Sequence, residues 1–356
     1  MSPTNKCQRI VVTGYGGFLG TEITRQLLAR GDHVVGFARG SYAHLASLPI
    51  ESIRGDVRDP RSVHDAIRGA DGVIHTAALA GIWGSWKTYY EVNTLGTSHV
   101  IDACREHGVP ILVYCSSPSV TFDGTDQSGI DESAPYPSQW LCPYPHSKAL
   151  AEQQVLAAHD PPRLATVALR PHLIWGADDP HLFPRLIDRA RRRRLRVIGT
   201  GTNTIDTVHV INAAAAHLDA FDTLRSHAGA AQSDAGGGPE RTVRAGGRAY
   251  FITQGEPVLC WEWIAQVLEL AGATLPKGRI GFKTAWRLGA TLEKLYRWSR
   301  WETEPPMTRF LAAQLAKDHY FDISAARTLL GYKPRISMRE GFERLKIAWK
   351  SAPLPP

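Results

Sequence analysis

Arg9-Ile10-Val11-Val12-Thr13-Gly14-Tyr15-Gly16-Gly17-Phe18-Leu19-Gly20 sets an apolar, β-branched run directly before a glycine-rich turn. The run predicts a buried strand. The residues from Gly20 to Arg30 predict a helix, and Gly31 suits the position just past its end. Gly14, Gly17 and Gly20 permit a tight turn, close approach of a diphosphate and close helix–sheet packing. A helix opening there presents unsatisfied N–H groups to an anion. Glycine-rich turns are often no more than turns. A strand before and a helix after make this one a dinucleotide fingerprint, with Gly14, Gly16, Gly17, Phe18, Leu19 and Gly20 as its contacts.

Working outward, the alternation repeats. His33–Phe37, Gly72–His75, Ile111–Cys115 and Leu164–Leu169 read as core strands. Helical patterns fall at Arg61–Arg68, Thr88–His107 (stopped by Gly108) and Tyr144–Ala158. This order predicts right-handed βαβ units and an α/β fold of the Rossmann type, a doubly wound parallel sheet. Residues 1–175 are the expected dinucleotide-binding domain, with 203–222 returning to it. Residues 176–202 and 223–356 are the expected smaller C-terminal α/β substrate lobe. Within it, 226–248 is rich in Gly, Ala and Ser and reads as a flexible insert. Ser337 and Glu340 form a capping box for the last helix.

The 356 residues are 43% hydrophobic and 21% charged, which excludes a disordered chain, a collagen and a coiled-coil rod. The charge sum, 41 basic against 34 acidic residues, gives +7, a mild excess that suits anionic small ligands without selecting them. Five cysteines, an odd number with no CxxC pair, argue against a disulfide framework and a zinc site. The histidines show no HExxH spacing, so no metal is expected. The first residues lack an apolar core before the first strand, and no run of 18 apolar residues occurs. The expected location is the cytoplasm.

The end of the second strand bears on which dinucleotide binds. The run Gly36-Phe37-Ala38-Arg39-Gly40-Ser41 has no acid for a ribose 2′-hydroxyl. Arg39 suits the 2′-phosphate of NADP (NADPH); the plainer reading is a solvated surface arginine. Asp56-Val57 suits an adenine contact, or only a turn. Tyr144-Pro145-His146-Ser147-Lys148 is a YxxxK, and positions i and i+4 share a helix face. A cation beside a phenol favours the phenolate, so Lys148 is expected to lower the pKa of Tyr144. Ser116 and Ser117 end a core strand at the carboxyl edge of the sheet, where α/β ligands sit.

Together these motifs resemble the extended short-chain dehydrogenase/reductases. The residues that carry the likeness are TGxxGFLG, Asp56, His75-Thr76-Ala77-Ala78, Asn93 in EVNTLGT, SSPSV, YxxxK, Thr204–Val210 and Leu330–Pro334. The resemblance spans nearly the whole chain except 226–248. It implies Ser117, Tyr144 and Lys148 as catalytic residues and Asn93 as a structural or relay asparagine. It also implies Ala77, Ala78 and Pro171, with Tyr144 and Lys148, beside the nicotinamide. The segments GIWGSWKTYYEVNTLGTSHVIDACREHGV, VALRPHLIWG and EPPMTRFLAAQLAKDHYFDI resemble the 3β-hydroxysteroid dehydrogenase-like branch. Within it they are similar to the bacterial 2-alkyl-3-oxoalkanoate reductases of olefin biosynthesis. His172 is a departure, since an arginine after Pro171 would be unsurprising.

The resemblance implies an NADPH-dependent reductase of a ketone on a long, apolar keto acid. A 3β-hydroxysteroid or sterol dehydrogenase is the alternative within the class. A catalytically silent NADP-sensing protein is the alternative outside it. Small-molecule partners are expected and nucleic acid is not; the family's habit of pairing through Rossmann-domain helices implies a homodimer. Two segments keep open readings. Arg189–Arg196 is a solvated helix face or an acidic-ligand site. Lys283–Trp301 is a lobe-packing helix, a wall of a lipid channel or an interfacial helix, with membrane contact not the expectation.

Overall fold

Seven short runs, β1 (Arg9–Thr13), β2 (His33–Ala38), β3 (Ile50–Arg54), β4 (Gly72–His75), β5 (Ile111–Cys115), β6 (Ala165–Pro171) and β7 (Ala249–Ile252), form one sheet. Their order is β7-β6-β5-β4-β1-β2-β3, and every pairing is parallel. The computed structural model of the chain describes residues 7–228 and 245–351. The central strands are almost wholly buried, as their β-branched runs require when helices cover both faces. Because all seven strands point one way, the turns after Thr13, Ala38, His75, Cys115 and Pro171 gather on one edge. The order reverses between β1 and β4, which opens a crevice at that edge.

Two strands escape the sequence pattern. β3 is an edge strand, IESIR, with Glu51 and Ser52 exposed, so it lacks a continuous apolar run. β7 pairs with β6 from Ala249↔Ala168 to Ile252↔Pro171, although the sequence places it with the substrate lobe. The helix Val210–Ala228 packs on the helix Phe18–Ala29 and on β5 and β6. Of the insert read at 226–248, residues 226–228 belong to that helix and 245–248 lead into β7; residues 229–244 lie outside the described residues.

The predicted helix 88–107 is observed as three consecutive segments, Trp86–Tyr89, Tyr90–Leu95 and Gly96–Glu106, the middle one a π-turn. The apolar period does not reveal such a bulge, and bulges of this kind often mark functional sites. The helix Pro143–Ala157 starts with a proline at N1, where its missing N–H costs nothing.

A second, four-stranded sheet runs Val258–Leu259, Thr204–Ile205, His319–Phe321, Gln127–Ile130. Its last pairing ties the loop after Ser117 to the C-terminal part of the chain. The aromatic core of that part holds Trp175, Phe183 and Trp263. The last helix, Met338–Ser351, is capped where predicted, with the Glu340 amide donating to Ser337 Oγ at 3.2 Å. Among the described residues no helix is long and apolar enough to cross a membrane.

Candidate active site

The glycine turn joins β1 to the helix Phe18–Ala29. Gly14 has φ +72°, and a Cβ there would lie 2.9 Å from the Ala77 backbone. A Cβ on Gly20 would lie 2.2 Å from the Gly14 carbonyl. The helix is capped by Gly17 without any side-chain bond, and its first turn carries no acid. Its N-terminal amides and positive dipole end therefore suit a diphosphate. Phe18 and Leu19 open that helix. Gly16 also has a local reason to be glycine, because a Cβ would fall 2.1 Å from the Tyr42 ring.

Arg39 is exposed at the end of β2, and its guanidinium makes no hydrogen bond among the described residues. Asp56 is engaged by Arg58 at 2.7 Å, and that bond holds its carboxyl below the usual range. Val57 is buried against Gly96, and its carbonyl accepts from His99 Nδ1 at 2.8 Å. After β4, Thr76 Oγ1 donates to the Thr13 carbonyl at 2.7 Å, and the Ala77 amide donates to Thr13 Oγ1 at 3.2 Å. Ala77 is half-buried and Ala78 exposed beside the glycine turn.

The donors and acceptors around His75 fix a directed chain that the sequence reading did not identify. Thr97 Oγ1 donates to the Asn93 carbonyl at 2.6 Å, so it accepts from His75 Nε2 at 3.0 Å. Thr13 Oγ1 then donates to His75 Nδ1 at 2.6 Å while accepting from Ala77. Burial pushes the His75 pKa down to about 3, so the ring stays neutral. This chain ties the β4 turn to the π-turn that carries Asn93.

Asn93 is buried and already bound. Its Oδ1 accepts from the Leu79 amide at 2.8 Å; its Nδ2 donates to the Leu79 carbonyl at 3.1 Å and to Ser147 Oγ at 2.9 Å. The Ser147 hydroxyl in turn donates to the Tyr144 carbonyl at 2.9 Å. Asn93 thus holds the helix that bears Tyr144 against the 76–80 turn, and none of its hydrogen bonds reaches the Tyr144 hydroxyl or Lys148.

Tyr144 and Lys148 share one face of their helix, but the Lys148 ammonium is bound to a neighbouring strand. Its Nζ donates to the Cys115 carbonyl at 2.6 Å and lies 4.2 Å from the Tyr114 ring centroid. Burial lowers its pKa to about 8. Burial raises the Tyr144 phenol above its ordinary value, and a hydrogen bond with Ser117 opposes that rise. The expected lowering by Lys148 is therefore corrected: desolvation sets the direction of the Tyr144 shift, and it is upward. Ser117 caps the turn Pro118–Thr121, with Oγ 2.9 Å from Ser119 Oγ.

Ser117, Tyr144 and Pro171 line one cavity of about 370 Å³ whose wall is mostly apolar. The sequence reading missed its far walls. They come from the helices Leu182–Arg191, Cys260–Leu270 and Arg309–Gln314, through residues such as Leu186, Trp263 and Phe310. No residue of Lys283–Trp301 lines it. Trp286 packs on Phe282, with ring centroids 5.6 Å apart, in a small satellite cluster. On that helix Trp298 is 83% exposed. His172 Nε2 and His319 Nδ1 are 2.7 Å apart in the cavity wall, and burial lowers the pKa of both rings. His64, Glu106 and His107 gather within 4.8 Å of one another outside that wall.

The chain matches the 3-beta hydroxysteroid dehydrogenase/isomerase family over residues 11–282. It is 46% identical to a 2-alkyl-3-oxoalkanoate reductase of Stenotrophomonas maltophilia, over 96% of this chain and 99% of that protein. It is 32% identical to the mouse sterol-4-alpha-carboxylate 3-dehydrogenase, decarboxylating, over 96% of this chain and 90% of that protein. Among solved structures, the UDP-glucose 4-epimerase of Thermus thermophilus, in complex with NAD, superposes with TM-score 0.67 at 23% identity. The superposition covers 97% of this chain and 99% of that chain, and the likeness is one of fold.

Proposed function

Since the chain belongs to the 3-beta hydroxysteroid dehydrogenase/isomerase family, we propose that it reduces the ketone of a long-chain 2-alkyl-3-oxoalkanoate to the 3-hydroxy acid with NADPH. The carrying observation is the cavity itself: a mostly apolar space of about 370 Å³ with the Tyr144 and Ser117 side chains in its wall. The helix behind Gly14, Gly16, Gly17, Phe18, Leu19 and Gly20, which has no side-chain cap, supports diphosphate binding. Asp56 and Val57 meet the adenine, and Ala77, Ala78, Pro171 and Lys148 flank the nicotinamide riboside. When bound, NADPH supplies the hydride.

Tyr144 protonates the substrate oxygen, and Ser117 hydrogen-bonds that oxygen and fixes its place. The raised phenol pKa suits this direction, because Tyr144 enters the reaction with its proton on. Lys148 contributes a positive charge behind the phenol, which stabilises the tyrosinate left after proton transfer. Asn93 is a positioning residue that acts through Ser147 and Leu79. Residues 1–175, with the helix Val210–Ala228 and β7, form the NADP-binding part, and the remainder forms the substrate lobe. A homodimer through Rossmann-domain helices belongs to the same proposal.

Arg39 takes the 2′-phosphate of NADPH. Charge-assisted hydrogen bonds of that kind are worth about 1.5–3 kcal/mol, roughly tenfold to a hundredfold in affinity. NADPH is therefore expected to bind more tightly than NADH by that factor. The double change Ala38→Asp with Arg39→Ser is expected to reverse the order. Titration of nicotinamide fluorescence measures both, and equal affinities in the parent protein would remove Arg39 from this role.

Chain length tests the substrate reading. Each buried methylene adds up to about 0.8 kcal/mol, so kcat/KM is expected to climb severalfold per two carbons and then level off. A flat profile together with good turnover of a 3-ketosteroid favours the sterol reading, which the mouse relative supports. Trp286→Ala serves as the control: as a residue of the satellite cluster it is expected to lower the unfolding midpoint and leave the chain-length profile in place.

A further inference from the structure

Arg185 and Arg189 stand one turn apart on the helix Leu182–Arg191, and both line the cavity that holds Tyr144 and Ser117. They are the only permanently charged side chains among its lining residues, and both are positive. The four arginines that follow, Arg191–Arg194, are solvent-exposed, so the basic run divides at the helix end. Arg189 keeps only 26% of its side chain exposed. Burial and the neighbouring Arg185 lower its pKa, as expected of a cation in want of an anion.

Both guanidiniums share one counter-ion, Glu304, on the segment between the helices Phe282–Trp298 and Arg309–Gln314. Arg185 Nη2 donates to Glu304 Oε1. Arg189 Nη2 lies 3.9 Å from the same oxygen, beyond hydrogen-bond reach. Asp188 on the same helix also draws on Arg189, and Arg185 keeps 49% of its side chain exposed, but among the described residues no carboxylate hydrogen-bonds the Arg189 guanidinium, an arrangement that an added anion relieves. Tyr89 links Arg185 and Glu304 to the reacting end. Charges on Glu304 and Arg185 both act on the Tyr89 hydroxyl, and the Tyr89 ring packs 6.4 Å from the Tyr144 ring, edge to face. In a 3-oxo acid the carboxylate carbon is only two bonds from the ketone carbon, so its anion site has to lie near the proton donor.

We propose that Arg185 and Arg189 form the carboxylate subsite of this cavity, and that Glu304 is a resident carboxylate displaced from them when an acid substrate binds. The inference rests on the reading of the protein as a keto-acid reductase and supplies the residues that select an acid over a neutral ketone. The bidentate geometry of guanidinium against carboxylate provides both the strength and the orientation.

The test compares kcat/KM for a 2-alkyl-3-oxo acid with that for its methyl ester, in the parent protein, Arg185→Gln, Arg189→Gln and Glu304→Gln. The acid-to-ester ratio is expected to fall tenfold or more in each arginine variant. It is expected to rise severalfold in Glu304→Gln, through a lower KM for the acid. A ratio unmoved in both arginine variants overturns the subsite while leaving the reductase reading in place. A second measurement needs no turnover: displacement of a hydrophobic fluorophore from the cavity by myristate and by tetradecanol. The parent protein is expected to favour myristate, and Arg189→Gln to lose that preference. If neither acid nor ester is reduced and this preference nevertheless holds, the reductase reading fails and the subsite stands. If the parent protein does not distinguish myristate from tetradecanol, the subsite is excluded.

Discussion

Tyr144→Phe is expected to lower kcat roughly 10² to 10⁴-fold, the usual worth of a positioned general acid, with NADPH affinity nearly unchanged. The variant keeps the ring that packs against Tyr89 and the satellite cluster of Phe122, Cys142 and Phe310, and loses only the hydroxyl. The fold and the cavity shape therefore persist. Stopped-flow measurement of NADPH oxidation separates the chemical step from binding, and near-full turnover on a verified substrate would exclude Tyr144 as the proton donor. The pH profile carries the companion expectation. Tyr144, raised by burial, holds its proton through neutral pH, whereas Lys148 loses its own at about 8. The reduction rate is thus expected to be level near neutrality and to fall as pH rises through about 8, when the ammonium behind the phenol is lost.

Glu152→Ala is expected to destabilise the protein by about 3–5 kcal/mol, the cost of stranding a buried charge. Glu152 Oε1 and Oε2 accept from Arg170 Nη2 and Nε at 2.6 and 3.0 Å, and Glu152 Oε1 also accepts from the Tyr136 hydroxyl at 2.7 Å. Both members of the ion pair are nearly sealed from water, with 0% and 3% of their side chains exposed. The bond joins the helix of Tyr144 and Lys148 to β6, one residue before Pro171. The variant leaves a guanidinium in the interior without its anion. Urea denaturation reads the loss; a midpoint that barely moves would mean that Arg170 finds another partner. Glu152→Gln keeps the shape and is expected to lose less.

The sequence revealed most where local pattern and chemistry coincide. The apolar run before Gly14, the glycine spacing, the end of β2 without an acid and the YxxxK are each short, and each constrains its own backbone. Gly31 and Gly108, read as helix stops, take φ of +88° and +64° there. What stayed hidden depends on distant partners. β3 joins the sheet as an edge strand through pairing with β2. β7 does so through pairing with β6, which lies far earlier in the chain. The Tyr90–Leu95 π-turn arises inside an unbroken helical pattern.

The same holds in the site. Spacing puts Tyr144 and Lys148 on one face, but it does not show that Lys148 ends on the Cys115 carbonyl, because that carbonyl belongs to another element, β5. His75 reads only as the end of a strand until Thr13 and Thr97 are brought to its two nitrogens. The aromatic content of Lys283–Trp301 suggests a channel wall, yet its large side chains pack outside the cavity or face water. The wall comes from segments whose role is visible only when the chain is folded. The Arg189–Arg196 run looks uniform as a string; the helix divides it by turning Arg189 inward.

The most direct test of the account is NADPH oxidation by the purified protein, measured in parallel with 2-alkyl-3-oxo acids, 3-ketosteroids and nucleotide sugars. The account predicts rapid oxidation with the long-chain acids, little with ketosteroids and none with nucleotide sugars. Oxidation driven by a 3-ketosteroid or a nucleotide sugar, with the long-chain acids inert, would contradict it.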